Sequence, residues 1–77
     1  MISDNSLLTV KLRILANSLL SELNAAAAAR AKGNCTAAGN IYEAFIDELQ
    51  AQSGKGVDPT AAAIMIADAQ YLIAHCP

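Results

Sequence analysis

The chain has 77 residues, 55% of them hydrophobic and 16% charged, and its formal net charge is −2. This length allows one small domain, which buries a modest share of its surface and needs a well-packed core, a cross-link or a partner. The five basic residues form no stripe, which argues against nucleic-acid binding and against a basic membrane-surface helix.

The first predicted helix covers residues 6–32. Seven residues, six of them apolar, recur there at spacings of three and four, which places them along one face of a helix. The members of this face are Leu8, Leu12, Leu15, Leu19, Leu23, Ala26 and Arg30. Ser18 and Glu22 fall largely outside it. Gly33 predicts the helix end, because glycine readily adopts the left-handed conformation that closes many helices.

The second predicted helix covers residues 35–52, with Asn34 as its N-cap. Its expected inner stripe consists of Ala38, Ile41, Phe45 and Leu49, flanked by Tyr42 and Ile46. Its expected solvent-facing side consists of Glu43, Asp47, Glu48 and Gln50. Gly54 and Gly56 end the pattern and predict a turn.

The third predicted helix covers residues 59–75, with Asp58 as N-cap and Pro59 at the first helical position. It is apolar almost all round, which is typical of a helix buried on more than one side. A lone bundle leaves one side wet, so we expect an apolar interaction surface here. Its candidate residues are Ile64, Ile66, Asp68 and Tyr71. Asp68 either marks the solvent side or pairs with a basic side chain of the first helix or of a partner.

Short connections make consecutive helices antiparallel neighbours. The sequence therefore predicts an all-α fold, an up-down-up three-helix bundle that forms a single domain over residues 1–77. Cys35 and Cys76 fall at the same end of such a bundle, so a disulfide between them is feasible. Closing a loop of about 40 residues would stabilise the fold by roughly 4 kcal/mol and would indicate an oxidising compartment. Two free thiols in a cytosolic protein are the alternative.

No catalytic, cofactor or metal site is predicted. His75, the only histidine, suits a helix C-terminus, and no serine lies in a G-x-S-x-G motif. A metal site of Cys35, His75 and Cys76 is disfavoured, because adjacent helical residues point about 100° apart. Tyr42 and Tyr71 lie on different helices, so they are weak evidence for a polysaccharide-binding platform.

No membrane span is expected, since the longest nearly uncharged stretch, residues 59–73, is too short. The polar residues after Met1 do not form a signal peptide. The chain is then either cytosolic or a mature domain of a longer secreted precursor.

An ordered series of short motifs runs from Leu12 to Ile73. It comprises Asn17-Ser18-Leu19-Leu20, Gly33-Asn34, Ala44-Phe45-Ile46, Ala51-Gln52-Ser53-Gly54-Lys55 and Ile66-Ala67-Asp68-Ala69. In this order the series resembles the FIMAH-type domain. The resemblance implies a short, non-catalytic helical module, commonly near the C-terminal end of secreted bacterial multidomain proteins, many of which degrade polysaccharides. The chain departs from the family in its plain alanine run, residues 25–29, and in the position of Cys35.

These observations lead to one expected function and two alternatives. The expected function is a non-catalytic accessory or interaction module of an extracellular or cell-surface bacterial protein, which docks or spaces a neighbouring, carbohydrate-active domain. The first alternative is a self-assembling helical protein that forms homo-oligomers through the apolar third helix. The second is a small cytosolic helical regulator with reduced thiols.

Overall fold

The computed structural model describes the backbone of residues 2–76 and the side chains of residues 13–76. The chain forms three helices: α1 (Ile2–Ala31), α2 (Cys35–Gln52) and α3 (Pro59–Ala74). The predicted all-α, three-helix fold class is confirmed. α1 begins four residues before the predicted start, and α3 ends at Ala74 with His75 as its C-cap. Leu8 and Leu12, two members of the predicted apolar face, lie outside the described side chains.

A tight turn joins α1 to α2. Gly33 has a φ of 75°, in the left-handed region that glycine adopts without steric cost. The amides of Gly33 and Asn34 donate to the carbonyls of Arg30 and Ala29, both at 2.9 Å, in the Schellman pattern. Asn34 then begins α2, because its side-chain oxygen accepts a hydrogen bond from the Ala37 amide at 3.1 Å.

The turn between α2 and α3 is closed by backbone hydrogen bonds. The amide of Val57 donates to the carbonyl of Gln52 at 3.1 Å, and Gly54, with a φ of 78°, donates to Val57 at 2.9 Å. Asp58 caps α3 by accepting from the Ala61 amide at 3.0 Å. Pro59 follows at the start of the helix, where its missing N–H leaves no hydrogen bond unmade.

α2 lies between the other two helices and supplies most of the core. Five of its side chains are buried, namely Ala38, Tyr42, Phe45, Ile46 and Leu49. In the described part of the chain, no Cα atom of α1 lies within 8 Å of one in α3. α2 is therefore the central helix, and α3, although apolar almost all round, buries only Ala62 and Ala69 fully.

A disulfide joins the two helix ends opposite the α2–α3 turn. Cys35 is the first residue of α2, Cys76 follows the end of α3, and their Cα atoms lie 5.8 Å apart. This pairing is the one expected from the sequence. At the same end, Arg30 Nη2 donates to the carbonyl oxygen of His75 at 3.3 Å, which links the end of α1 to the end of α3. A cation suits this position, because the last carbonyls of a helix carry partial negative charge.

Candidate functional site

An apolar hollow is formed by side chains of all three helices. It measures about 140 Å³ and is lined by Leu23, Phe45, Met65, Asp68, Ala69 and Leu72. Phe45 and Ala69 are buried, Met65 and Leu72 are half-buried, and Leu23 is exposed. Asp68 is the only charged residue of the lining. The hollow is therefore suited to a ligand that has an apolar group with a positive charge next to it.

The outer side of α3 continues this apolar surface into solvent. Ile64 and Tyr71 have exposed fractions of 58% and 61%, and Asp68 between them is also exposed. Positions 64, 68 and 71 are spaced by four and three residues, so they share one face of the helix. Ile66, which the sequence analysis grouped with them, is half-buried and packs against the core. It lies two residues from Ile64, about 200° around the helix axis.

Tyr71 is held in place by His75. The two rings stack with their centroids 4.0 Å apart and an interplanar angle of 18°. His75 Nδ1 lies 2.8 Å from the carbonyl oxygen of Tyr71, which can only accept, so this nitrogen is the donor of the hydrogen bond. Tyr42, the other tyrosine considered for a sugar platform, is buried in the core. The two tyrosines therefore do not form a joint platform for a sugar.

A polar cluster sits between α1 and α2, away from the hollow. The Ser18 hydroxyl donates to both carboxylate oxygens of Glu48, at 3.2 and 3.0 Å. One oxygen of Glu22 is out of reach of solvent and has no hydrogen-bond partner within the described part of the chain. Burial, a hydrogen bond to Glu48 and the charge of Glu48 together raise the pKa of Glu22 from 4.5 to about 7.

This cluster corrects the sequence analysis, which placed Ser18 and Glu22 outside the packed face of α1 and Glu48 on the wet side of α2. All three are half-buried. The buried face of α1 is displaced from the predicted stripe toward Ser18 and Glu22, and Leu23 of that stripe is exposed. Ser18 and Glu22 are spaced by four residues, as neighbours on one helix face are, and that spacing was the available signal.

The described residues contain no group of three or more His, Cys, Asp or Glu side chains that could hold a metal ion. Within the same part of the chain, no helix combines the length and apolar character needed to cross a bilayer. The only histidine, His75, is engaged with Tyr71.

The fold and this surface define a small, disulfide-linked, all-α module with an exposed apolar side. A family model, that of the FIMAH domain, matches residues 13–74, and the chain belongs to this family. The FIMAH domain is a small helical domain of accessory type and not a catalytic family. Comparison with curated proteins and with solved structures gave no match.

Proposed function

We propose that the chain is a non-catalytic accessory module of a secreted bacterial protein and that it docks on a neighbouring domain. Its membership of the FIMAH family supports the accessory role. The observation that carries the docking role is the apolar side of α3, where Ile64 and Tyr71 are more than half exposed next to the hollow. Contiguous exposed apolar surface of this kind often marks an interface.

The disulfide supports the secreted context. A Cys35–Cys76 bond persists in oxidising compartments and is rare in the cytosol, where thiols are kept reduced. It also argues against the alternative of a cytosolic regulator with reduced thiols. An intact-mass measurement after denaturation and alkylation without reductant tests this point in protein from the native host. No added alkyl group supports the proposal, and two added groups contradict it.

The neighbouring domain is proposed to be carbohydrate-active, as the family resemblance implies. Direct sugar binding by this chain is less well supported, because Tyr42 is buried and Tyr71 stacks on His75. A spacer role would make no use of the apolar side of α3, which favours docking over spacing.

Amide hydrogen exchange tests the docking role. The parent protein and the isolated 77-residue chain would be compared, with attention to the α3 amides around Ile64 and Tyr71. We expect slower exchange of these α3 amides in the parent protein and unchanged exchange of the α2 amides around Glu43. Equal exchange in both proteins would indicate a spacer instead.

Self-assembly is the second candidate, because the same exposed side chains, Ile64 and Tyr71, would favour a homo-oligomer. Sedimentation of the isolated chain over a range of concentrations separates the two functions. A monomeric mass throughout supports docking on another domain, and a mass that rises with concentration supports self-assembly.

A further inference from the structure

We infer that the hollow between α1 and α3 binds an amphipathic helix, which inserts one large apolar side chain and places a Lys or Arg against Asp68. This inference rests on the proposed docking function and specifies its partner. Three observations support this inference: the hollow itself, the single acid in its lining and the separation of the two flanking helices.

The size and lining of the hollow indicate the inserted group. Its volume of about 140 Å³ is close to that of an apolar cavity of roughly 150 Å³ that holds one benzene ring. Phe45 forms part of the lining from α2, and Leu23 and Leu72 contribute from α1 and α3. A Phe or Leu side chain fits such a space and loses contact with water, which is the main favourable contribution to binding.

The shape of the surface indicates a helix. Among the described residues no Cα atom of α1 lies within 8 Å of one in α3, so the two helices that border the hollow are not closely packed against each other. An amphipathic helix can lie along such a boundary and contact it with residues spaced by three, four and seven. It would also cover Ile64, which is 58% exposed.

Asp68 indicates the charge of the partner. It is exposed, it lies in an otherwise apolar lining, and it makes no hydrogen bond or ion pair with the other described residues. A cation that docks beside a carboxylate in such a position forms a favourable charge interaction with it. An apolar or acidic partner would remove water from the carboxylate without replacing the lost interactions. The partner therefore carries a Lys or Arg one turn from its apolar anchor.

The same charge disfavours a second copy of this chain as the occupant. In a two-fold interface the same patch meets itself, so the Asp68 side chains of the two copies would approach each other. Like charges facing each other across an interface are destabilising. The chain also has more acidic than basic residues, seven against five.

Two synthetic peptides test the inference. Each is an amphipathic helix with one Phe anchor, capped at both ends, and they differ only in a Lys or a Glu four residues after the Phe. Binding to the labelled 77-residue chain would be followed by methyl NMR. We expect the Lys peptide to shift the methyl signals of Leu23, Met65 and Leu72. It should bind about two- to fivefold more tightly than the Glu peptide, as expected for a partly exposed ion pair.

Charge variants assign the preference to one residue. Asp68→Asn should make the two peptides equal, and Asp68→Lys should reverse their order. Glu43→Lys, on the solvent-facing side of α2, changes the net charge by the same amount as Asp68→Lys and should leave the preference for the Lys peptide intact. Circular dichroism would establish that each variant is folded before it is titrated.

A matched pair of arginine variants tests the location. Leu23→Arg places a bulky cation at the edge of the hollow and should abolish binding of the Lys peptide. Ile14→Arg is the control, because Ile14 is 63% exposed and lies nine residues earlier, on the opposite side of α1. It should bind the peptide as the unmodified chain does.

Three results would overturn the inference. The first is that neither peptide, up to about 1 mM, shifts the methyl signals of Leu23, Met65 and Leu72, since this range covers weak complexes. The second is that Asp68→Lys keeps the preference for the Lys peptide, and the third is that these methyl signals broaden with rising concentration of the chain alone. If the Lys peptide binds as expected but the α3 amides exchange no more slowly in the parent protein, only the proposed docking on a neighbouring domain is refuted. If the α3 amides exchange more slowly in the parent protein but neither peptide binds, only the inference of a helical partner is refuted.

Discussion

Two carboxyl groups that approach each other between α1 and α2 make one residue, Glu22, sensitive to pH. Its pKa is raised from 4.5 to about 7, first by burial and then by the hydrogen bond to Glu48 and the charge of Glu48. Below pH 4.5 the group is protonated in both the folded and the unfolded chain. Between pH 4.5 and 7 the unfolded chain releases the proton while the folded chain retains it, so the free energy of unfolding falls as the pH rises.

Glu22→Gln should remove this dependence. Glutamine has the same shape, cannot ionise and can donate a hydrogen bond to the Glu48 carboxylate, which Ser18 already contacts. We expect the variant to be more stable than the wild type at pH 8, by on the order of 2 kcal/mol, and about equally stable at pH 4. Urea unfolding at both values measures the difference.

Glu43→Gln is the matched control, since Glu43 is exposed on the outer side of α2. It should change the free energy of unfolding by less than about 0.5 kcal/mol at either pH. If Glu22→Gln gave no larger gain at pH 8 than at pH 4, the buried carboxyl pair would not account for the pH dependence.

At the scale of elements, the ends of α2 and α3 follow from local chemistry that a sequence displays. Asn34 and Asp58 each accept a hydrogen bond from the amide three residues later, and Gly33 supplies the left-handed turn. Such contacts span a few residues, so a sequence pattern is sufficient to predict them.

The short connections predicted that α2 neighbours both other helices, and it does. How closely α1 approaches α3 could not be predicted in the same way, because it depends on contacts between elements that are distant along the chain. The apolar character of α3 did not indicate its burial, because Ala63 and Ala67 are apolar but remain exposed at little cost. The hollow and the Glu22–Glu48 pair depend on the same long-range arrangement.

Leu49 tests the role of α2 as the central element. Its side chain has no exposed surface, and it is the largest side chain that is fully buried among the described residues. Leu49→Ala should lower the free energy of unfolding by about 2 to 5 kcal/mol, because it removes apolar contacts and leaves a cavity. Thermal and urea unfolding followed by circular dichroism measure the loss.

Leu20→Ala makes the same chemical change on α1, where Leu20 is 55% exposed. It should cost less than about 1 kcal/mol, because little apolar surface returns to water. Equal losses in the two variants would be inconsistent with a core built on α2.

At the scale of the whole molecule, the disulfide compensates for a small and open core. Eight apolar residues are buried among those described, and four of them are alanine. Cys35 and Cys76 are separated by 41 positions in the sequence, so their bond removes a large part of the freedom of the unfolded chain. By the loop-entropy model this stabilises the fold by about 4 kcal/mol.

A double variant, Cys35→Ala with Cys76→Ala, should lose about this amount of stability, a large fraction of the total for a small domain. Denaturant unfolding measures the loss, and the wild-type chain unfolded with a reductant serves as a control that should show a similar one. A double variant as stable as the oxidised wild type would show that helix packing alone maintains the fold.

The position of the disulfide also determines how the domain responds to mechanical force. A pull applied between the two ends of the chain passes along α1 to Cys35 and then directly through the sulfur atoms to Cys76. Residues 36–75, which include almost all of α2 and the whole of α3, lie outside this load path. Tension can peel α1 away, but it cannot lengthen the α2–α3 hairpin. Fully extended, the hairpin has a contour length of roughly 140 Å, at about 3.4 Å per residue. Tension can extend it only after the disulfide is reduced.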